Sequence, residues 1–289
     1  MCELSTSGSS WARLFVPAIL KAYFFQVEVQ DGFASLLIGR AKLDKKNTIY
    51  SGDPLPALFL TEMVRELNEG AGFLEVLSSE ETLLLESVGT KKRVKKGANL
   101  FRQGEYHDGI FLIKEGRVRT FCSSPSGRQL TLAYWTPGHF VGGPEIFGGT
   151  HLWSGDAIED SYLLFLKGSV IQRLIVDVPV FASCLINALI AKGKCYSQLI
   201  HMLGTKTVQQ RLAQLLLVLS EHHGIVTAEG IAIDRQITHQ EIADIVGSTR
   251  QWVSATLHGW KKLGLVNINK FQIMIVKKNK LEKLVNVEA

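Results

Sequence analysis

The segment from Thr238 to Ser254 constrains the fold of this chain more than any other. Thr238 and Glu241, three residues apart, form the pattern of a capping box at the start of a helix, and Gly247 is typical of a helix end. A second amphipathic run follows at residues 250–263. Two short helices joined by a glycine turn bury their apolar faces by crossing each other, so the segment predicts a helix-turn-helix.

The residues after this segment predict a β-hairpin. The mostly apolar runs at 265–268 and 271–276 have the composition of strands, and a short turn, Asn269–Lys270, lies between them. Helix, turn, helix and hairpin in this order predict a winged helix. An amphipathic segment, Val208–Leu219, precedes it, and together they make a C-terminal unit at residues 207–289.

The charges and polar side chains of the C-terminal unit favour binding to DNA. From Gly230 to the end there are nine Lys and Arg against five Asp and Glu, a net charge of +4. A helix-turn-helix places the first turn of its second helix in the major groove, where Arg250 and Gln251 can each form paired hydrogen bonds to a base edge. At the start of the first helix, backbone amides and polar side chains can bind a DNA phosphate. The predicted DNA contacts are Thr238, His239, Gln240, Ser248, Thr249, Arg250, Gln251 and Ser254.

Glycines separate short apolar runs between Val94 and Leu166. The runs at residues 110–113, 118–121 and 130–134 have the composition of strands. Evenly spaced short strands with turn glycines indicate an antiparallel sandwich or roll. We therefore predict an α+β chain whose residues 71–175 form a β-roll that senses an effector.

A helical period begins at Val180. Apolar residues recur every three or four positions, with a lysine in the same stripe: Leu185, Leu189, Lys192, Tyr196, Leu199 and Leu203. One interpretation of the stripe is a seam that pairs with a copy of itself, and the other is a helix packed only on its own β-domain. The first interpretation makes residues 176–206 a dimerisation helix, with a break predicted at Gly204.

Residues 1–70 have no clear period. They hold a Ser-rich start, an aromatic run at residues 23–25 and a loop-like stretch through Gly52 and Pro56. Two interpretations stay open for this segment. It is an N-terminal extension, either partner-binding or disordered, or the true start lies at Met63.

Several classes of protein are not expected from this sequence. The most apolar N-terminal stretch, Leu14–Val29, contains Pro17, Lys21 and Glu28, so we expect no membrane span and a cytoplasmic protein. The four cysteines form no C-x-x-C pair suited to a metal. A Gly-rich phosphate loop, a G-x-S-x-G elbow and an H-E-x-x-H motif are all missing from the sequence, so we expect no enzyme.

Four motifs together carry a family resemblance. They are KGANLFRQGE at 96–105, IFLIKEGRV at 110–118, PGHFVG at 137–142 and the helix-turn-helix at 238–254. Through them the chain, from about Leu74 to Leu284, resembles the catabolite-activator (CRP/FNR) family. The resemblance implies a cyclic-nucleotide-binding type of β-roll, a long dimer helix and a winged helix. It also implies a cytoplasmic homodimer that binds inverted-repeat DNA sites and recruits RNA polymerase.

The effector pocket departs from the nucleotide-binding members of that family. Those members present a glutamate to the ribose after the PGxxxG turn and hold the cyclic phosphate with an Arg-Ser pair. Here Gly142 matches, Gly143 stands at the glutamate position, and Trp153 and Ser154 replace the Arg-Ser pair. The nearest glutamate, Glu145, lies two residues late. A buried phosphate without the guanidinium costs on the order of several kcal/mol, so cyclic AMP is not the expected effector.

Two interpretations are left for the effector: an aromatic anion, or an unknown or absent ligand. Some family members that regulate reductive dehalogenation or aromatic degradation bind aromatic acids or phenolates between roll and dimer helix. This chain is similar to them in the Lys192, Lys194 and Tyr196 pattern, and Trp135 extends an expected aromatic slot. The predicted effector residues are Tyr134, Gly142, Gly143, Trp153, Ser154, Lys192 and Tyr196.

Other family members suggest alternatives. Cys2 stands alone near the N-terminus, so no iron–sulfur cluster is expected. A haem-based gas sensor is one alternative, and its candidate ligands are His107, His139 and His151 in the roll and His201 on the helix. A regulatory β-roll without a DNA function is the other, and the helix-turn-helix argues against it.

The second helix of the helix-turn-helix also departs from the family pattern. Arg250 matches the first base-reading arginine. Gln251 replaces a glutamate that accepts from cytosine, Trp252 replaces a threonine and Ala255 replaces the second arginine. Because glutamine can donate as well as accept, we expect a weaker cytosine preference and a half-site other than TGTGA or TTGAT.

Overall fold

A computed structural model describes residues 76–143, 148–269 and 272–286. The N-terminal segment 1–70, with the alternative start at Met63, lies outside these ranges, as do Glu145, Lys270 and Phe271. Helices and strands are numbered in chain order within the described residues.

A β-roll forms the first part of the described chain, after a short helix, α1 (Ser79–Val88). Its strands are β1 Thr90–Val94, β2 Asn99–Phe101, β3 Tyr106–His107, β4 Gly109–Glu115, β5 Val118–Ser123, β6 Gln129–Trp135, β7 Phe140–Gly142, β8 Gly149–Thr150, β9 Ser154–Ala157 and β10 Ser161–Lys167. Two antiparallel sheets, in the orders β1-β10-β4-β7 and β2-β9-β5-β6, share one hydrophobic core, and β3 pairs with β8. The predicted antiparallel roll is confirmed.

The two-residue alternation of strand β6 decides which of its side chains fill the roll. Trp135 is fully buried in the roll core, where its Nε1 donates a hydrogen bond to Thr120 Oγ1 at 3.0 Å. Tyr134, the preceding residue, points to the other side and is buried in the core of the C-terminal unit. The strand therefore serves two cores, and its two aromatic residues cannot share a pocket.

Two helices follow the roll. α2 spans Gly168–Asp177 and α3 spans Pro179–Thr205, and the chain bends by 119° between them. The 27 residues of α3 extend for about 40 Å. The break predicted at Gly204 lies two residues further on, at Lys206, because α3 continues through the glycine to Thr205; a helical glycine costs only about 1 kcal/mol, and neighbouring Met202 is anchored in the core.

Within the described ranges, no single helix is long and apolar enough to cross a membrane. The bent pair α2 and α3 passes the same test of length and composition when both helices are taken together, as core helices of globular proteins also do.

Helix α3 has two apolar faces. The face on the roll buries Phe181, Cys184, Leu185, Ala188, Ala191, Lys192, Cys195, Leu199 and Met202. Part of the predicted seam, Leu185 and Leu199 included, therefore packs on the chain's own β-domain, whereas Leu189 is 47% exposed. The opposite face exposes residues spaced by alternating steps of four and three: Ile186, Ile190, Gly193, Ser197, Ile200 and Gly204. We call this second face the outer stripe.

A winged helix forms the last part of the described chain. Its elements are α4 Val208–His223, β11 Gly224–Thr227, β12 Gly230–Ile233, α5 His239–Val246, α6 Arg250–Lys262, β13 Val266–Asn269, β14 Gln272–Ile275 and α7 Lys278–Val285. The four strands form one antiparallel sheet in the order β11-β12-β14-β13. The predicted helix-turn-helix and hairpin are confirmed, while the β11–β12 hairpin and α7 were not predicted.

The helix-turn-helix is capped as its sequence predicts. Thr238 and Glu241 form a reciprocal capping box, with Thr238 Oγ1 accepting from the Glu241 amide at 3.1 Å. Gly247 ends α5 in the left-handed conformation with φ of 67°, which favours glycine. Thr249 caps α6 by accepting from the Trp252 amide. These caps set the crossing of the two helices, and α5 packs against strand β6 of the roll.

Candidate effector slot and nucleic-acid interface

Lys192 is buried between α3 and the roll, with 9% of its surface exposed. Its Nζ lies 3.5 Å from the centroid of the Trp135 ring and 4.6 Å from that of Phe140, distances typical of cation–π contacts. One turn further along α3, Tyr196 packs edge-on against Trp135, with ring centroids 6.4 Å apart, and against Trp153 at 5.8 Å. The Lys192 cluster, as we call it, comprises Trp135, His139, Phe140, Trp153, Lys192 and Tyr196.

Burial controls ionisation in the Lys192 cluster. Desolvation lowers the pKa of Lys192 to about 7. Desolvation, together with the Lys192 charge, lowers the pKa of His139 to about 4. Burial raises the pKa of Cys195, which adjoins the cluster on α3, to about 12 and raises the pKa of Tyr196 above its usual value. At neutral pH the histidine, thiol and phenol are therefore uncharged, and any net charge in the cluster is positive.

Two polar atoms of the cluster can bind a ligand. Tyr196 Oη and His139 Nε2 are buried and have no hydrogen-bond partner among the described residues, while His139 Nδ1 lies 3.2 Å from the Thr136 carbonyl oxygen. Buried polar atoms are normally paired. A buried amine, two unpaired polar atoms and several aromatic rings suit a small aromatic ligand that carries a negative charge.

The structure brings together only part of the predicted effector site. Trp153, Lys192 and Tyr196 lie in the Lys192 cluster, but Tyr134 is buried in the winged-helix core. Ser154, which follows Trp153, begins strand β9, and its Oγ accepts from the Gln103 amide at 3.0 Å. Tyr134 lies outside the cluster because it faces away from Trp135 on β6, and Ser154 lies outside it because its hydroxyl is bonded to Gln103.

Gly142 and Gly143 lie at the end of β7 and leave space for a neighbouring ring. A Cβ added at Gly143 would lie 1.7 Å from His107 Nε2, and one added at Gly142, where φ is 131°, would lie 3.2 Å from the Gly109 carbonyl oxygen. A glutamate at position 143 would therefore require His107 to move. Both glycines act in the packing of the roll wall.

Two cluster residues, His139 and Phe140, were not assigned to the effector site from the sequence. Both belong to the PGHFVG motif, and His139 lies 5.6 Å from Trp135 between ring centroids. Phe140 is the first residue of β7, a short strand that is fully buried in the structure. Which helix residue meets that strand depends on how α3 lies on the roll, and one sequence does not carry this information.

Two of the three candidate haem ligands in the roll, His107 and His151, are packed against each other. The rings of His107 and His151 are stacked with centroids 4.6 Å apart, and Phe101 stacks on His151 at 4.2 Å. His201 is exposed on α3. Among the described residues, no group of three or more His, Cys, Asp or Glu side chains could hold a metal ion. Stacking of this kind favours a packing role for His107 and His151.

The predicted DNA contacts meet at one end of the winged helix. A cleft of about 970 Å³ is lined by Thr238, His239, Gln240 and Arg250, together with residues of the hairpin. Arg250 and its neighbour Gln251 are exposed in the first turn of α6. The two helix starts therefore present donors and acceptors to the same space, as DNA recognition by a helix-turn-helix requires.

Several of the predicted contacts have partners inside the winged helix. His239 Nδ1 lies 2.7 Å from Ser254 Oγ, so these residues join the start of α5 to α6. Burial and the nearby Arg250 lower the pKa of His239 below its usual value. Ser248 is 9% exposed in the turn, where its amide donates to the Ala243 carbonyl oxygen. Ser248 is thus buried away from the cleft.

Comparisons with known proteins agree with this architecture. A family model described as a cyclic nucleotide-binding domain matches residues 91–177, and one described as a Crp-like helix-turn-helix domain matches residues 210–284. Together the two models cover more than half of the chain. The chain is 29% identical over 202 residues to the Cyclic AMP receptor protein of Thermus thermophilus, covering 69% of this chain and 90% of the relative.

Two further relatives also match this chain over most of their length. The Transcriptional regulatory protein btr of Bordetella pertussis is 23% identical over 212 residues, covering 73% of this chain and 88% of that protein. The structure of a mutant of CooA from Carboxydothermus hydrogenoformans is 27% identical, with a TM-score of 0.59, and covers 74% of this chain and 96% of that one.

Proposed function

Because this chain belongs to the CRP/FNR family of DNA-binding transcription regulators, we propose that it binds an inverted-repeat promoter site as a homodimer under the control of a small-molecule effector. Its relatives are regulators and not enzymes. The observation that carries the proposal is the cleft shared by the starts of α5 and α6, with Arg250 and Gln251 exposed beside it.

Each exposed group at that cleft has a role in the proposal. Arg250 bonds guanine O6 and N7, and Gln251 bonds adenine N6 and N7, in the major groove. Thr238 and Gln240 at the start of α5 and Thr249 at the start of α6 meet phosphate, where the helix dipoles favour negative charge. His239 and Ser254 hold the two helices in register. Ser248, being buried, is left out of the contact set.

The outer stripe of α3 is the proposed dimer seam. Its residues alternate by steps of four and three, the spacing of a coiled-coil seam, and Ile200 is 70% exposed in the single chain. Gly193 has no atom within 4 Å of an added Cβ, so two copies of α3 can approach closely there. Pairing along this face leaves the roll-facing side of α3 undisturbed.

The Lys192 cluster is the proposed effector site, and its ligand is an aromatic acid or a phenolate. The Lys192 amine, 3.5 Å from the Trp135 centroid, is the positive group for the ligand's charge, and Tyr196 Oη and His139 Nε2 supply further bonds. One relative is named for cyclic AMP. Cyclic AMP is not proposed here, because Trp153 stands where a phosphate-binding arginine is expected.

The proposed mechanism is a shift between two arrangements of the dimer. A ligand in the Lys192 cluster touches α3 from the roll side, while the outer stripe meets the partner copy on the other side. Binding therefore changes how the two copies of α3 cross. Their new crossing brings both α6 helices to major grooves roughly 34 Å apart. The DNA-bound dimer then recruits RNA polymerase.

A fluorescence-anisotropy titration of the whole chain against DNA from upstream of its own gene tests the proposal. The titration is run at two salt concentrations, with and without aromatic acids, phenols, cyclic nucleotides and carbon monoxide. Arg250→Gln is compared with Lys262→Gln, which removes the same charge from the other end of α6. We expect Arg250→Gln to cost about 1–3 kcal/mol of specific binding and Lys262→Gln to cost little.

The outcomes separate the parts of the proposal. If only aromatic acids or phenols tighten DNA binding, the proposed effector is supported. If only carbon monoxide tightens it, the effector is a gas instead. DNA binding that depends on salt but is unchanged by every added compound overturns the proposed effector and leaves the DNA function standing. Equal losses in the two variants overturn the role of Arg250, and an absence of DNA binding under every condition overturns the function itself.

A further inference from the structure

Arg119 of strand β5 joins the roll to the helix-turn-helix. Its side chain is 12% exposed and lies over the Phe121 ring at 4.3 Å. Nη2 donates to Gln129 Oε1 at 2.8 Å and to Asp156 Oδ2 at 3.2 Å, both within the roll. Nη1 donates to Asp244 Oδ2 at 3.2 Å, across to helix α5. One guanidinium thus holds acceptors from both domains.

Asp244 transmits this contact to the start of α5. It is only 3% exposed, and its second oxygen, Oδ1, accepts from Gln240 Nε2 at 2.7 Å, one helical turn earlier. Gln240 lines the cleft at which DNA is proposed to bind. The chain Arg119, Asp244, Gln240 therefore runs from the roll to the DNA interface through direct hydrogen bonds.

We propose that Arg119 is a positioning residue for DNA binding, which acts through Asp244 on Gln240 and on the placement of α5. The inference rests on the proposed DNA function and adds a route from roll to DNA that does not pass through α3. Sheet β2-β9-β5-β6 carries Arg119, Gln129 and Asp156, so a change in that sheet reaches α5 directly.

Burial makes this network sensitive to the loss of one member. An aspartate as buried as Asp244 requires its counter-charge, since an unpaired carboxylate is poorly solvated there. Without Arg119 the carboxylate loses its counter-charge and must turn toward water, and that movement alters its bond to Gln240. Two neutral side chains at positions 119 and 244 would still allow α5 to pack on the roll, but they would not connect Gln240 to strand β5 by hydrogen bonds.

A double-mutant cycle on DNA affinity tests the inference. Arg119→Gln, Gln240→Ala and the double variant are titrated with the same promoter DNA as the unaltered chain. Arg119 and Gln240 do not bond each other, so coupling between them requires Asp244. We expect Gln240→Ala to weaken binding at least fivefold in the unaltered chain and less than twofold beside Arg119→Gln.

Arg117→Gln is the matched control, because Arg117 lies two residues away and pairs with Glu159 inside the roll. It removes the same charge, and its effect should multiply with that of Gln240→Ala. The salt dependence supplies a second readout: Arg119→Gln should leave the slope of log Kd against log salt unchanged, whereas loss of a direct phosphate contact lowers it by about one.

The outcomes distinguish the inference from the function on which it rests. If the unaltered chain binds DNA and the effects of Arg119→Gln and Gln240→Ala simply multiply, the positioning role is overturned and the DNA function stands. If the unaltered chain does not bind, the function itself fails. Should Arg119→Gln not fold by circular dichroism, Arg119→Lys replaces it, since an ammonium keeps the charge but lacks the two separate nitrogens with which Arg119 reaches Asp244 on one side and Gln129 and Asp156 on the other; coupling to Gln240 should still fall.

Discussion

The amine of Lys192 lies 3.5 Å from the centre of the Trp135 ring, at a place in the fold where a charge is costly. Trp135 is completely buried, and the other cluster groups are uncharged at neutral pH. The chain therefore keeps an amine among aromatic rings between the roll and helix α3. In the proposed function, this amine is the counter-charge of the anionic effector.

Lys192→Met should abolish the response to an aromatic anion and leave basal DNA affinity within about threefold. Methionine keeps the length and apolar stem of the lysine and removes the positive group that the ligand needs. The measurement is the anisotropy titration with and without the effector. Lys194→Met, an exposed lysine two residues along the same helix, serves as control and should respond like the unaltered chain. An unchanged response in Lys192→Met would remove Lys192 from the effector site.

Stability should depend on pH through Lys192. Burial lowers its pKa to about 7 in the folded protein, against an ordinary value of 10.5. Between these values the unfolded chain holds a proton that the folded chain has released. The lysine's contribution to the free energy of unfolding therefore rises with pH in this window, by up to about 1.4 kcal/mol per pH unit.

The measurement for Lys192 is urea unfolding from pH 6 to 9.5 at one protein concentration. The difference between the unaltered chain and Lys192→Met isolates the lysine in this pH range, because the groups that feel its charge, His139 and Cys195, have pKa values of about 4 and about 12. Below about pH 7 that difference should be constant and favour the methionine variant. If the free energies of unfolding of the two proteins change in parallel from pH 6 to 9.5, the lowered pKa of Lys192 is contradicted.

Ile190→Glu should separate the dimer. The residue lies on the outer stripe of α3 and is half exposed in the single chain, so the folded protomer tolerates the change. Two glutamates meeting across the seam lose apolar burial and repel each other, which should weaken association by about 100-fold or more. Sedimentation velocity measures the change, and Asn187→Glu, exposed on the flank of α3, is the control. Equal dimerisation of both variants would place the seam elsewhere.

Gln251→Glu should change base preference at one symmetric pair of positions in the DNA site. A glutamate only accepts hydrogen bonds, so it selects the cytosine amino group, whereas glutamine both donates and accepts. Selection from a randomised DNA pool, followed by sequencing, reads the preference. Gln209→Glu, exposed near the start of α4, makes the same charge change away from the cleft. Identical selected sites for Gln251→Glu and the unaltered chain would refute base reading by Gln251.

Local signals in the sequence predicted the elements of this fold well. The capping box at Thr238 and the glycine turn at Gly247 are set by hydrogen bonds within a few residues, and the structure has both. The same holds for the strand runs of the roll, in which turn glycines and alternation are local properties. Helix α7 and the β11–β12 hairpin were missed because neither has a strong cap or turn signal of its own.

The sequence by itself determined the classes of element, their order and the family to which the chain belongs, because caps, periods and motifs act between near neighbours. Only the tertiary structure decided which faces meet. It placed Trp135 rather than Tyr134 beside Lys192, turned the outer stripe of α3 away from the roll, and joined Arg119 to Asp244, 125 residues apart. Such pairings depend on how a strand or helix is rotated against a distant partner, and packing of the whole core sets that rotation.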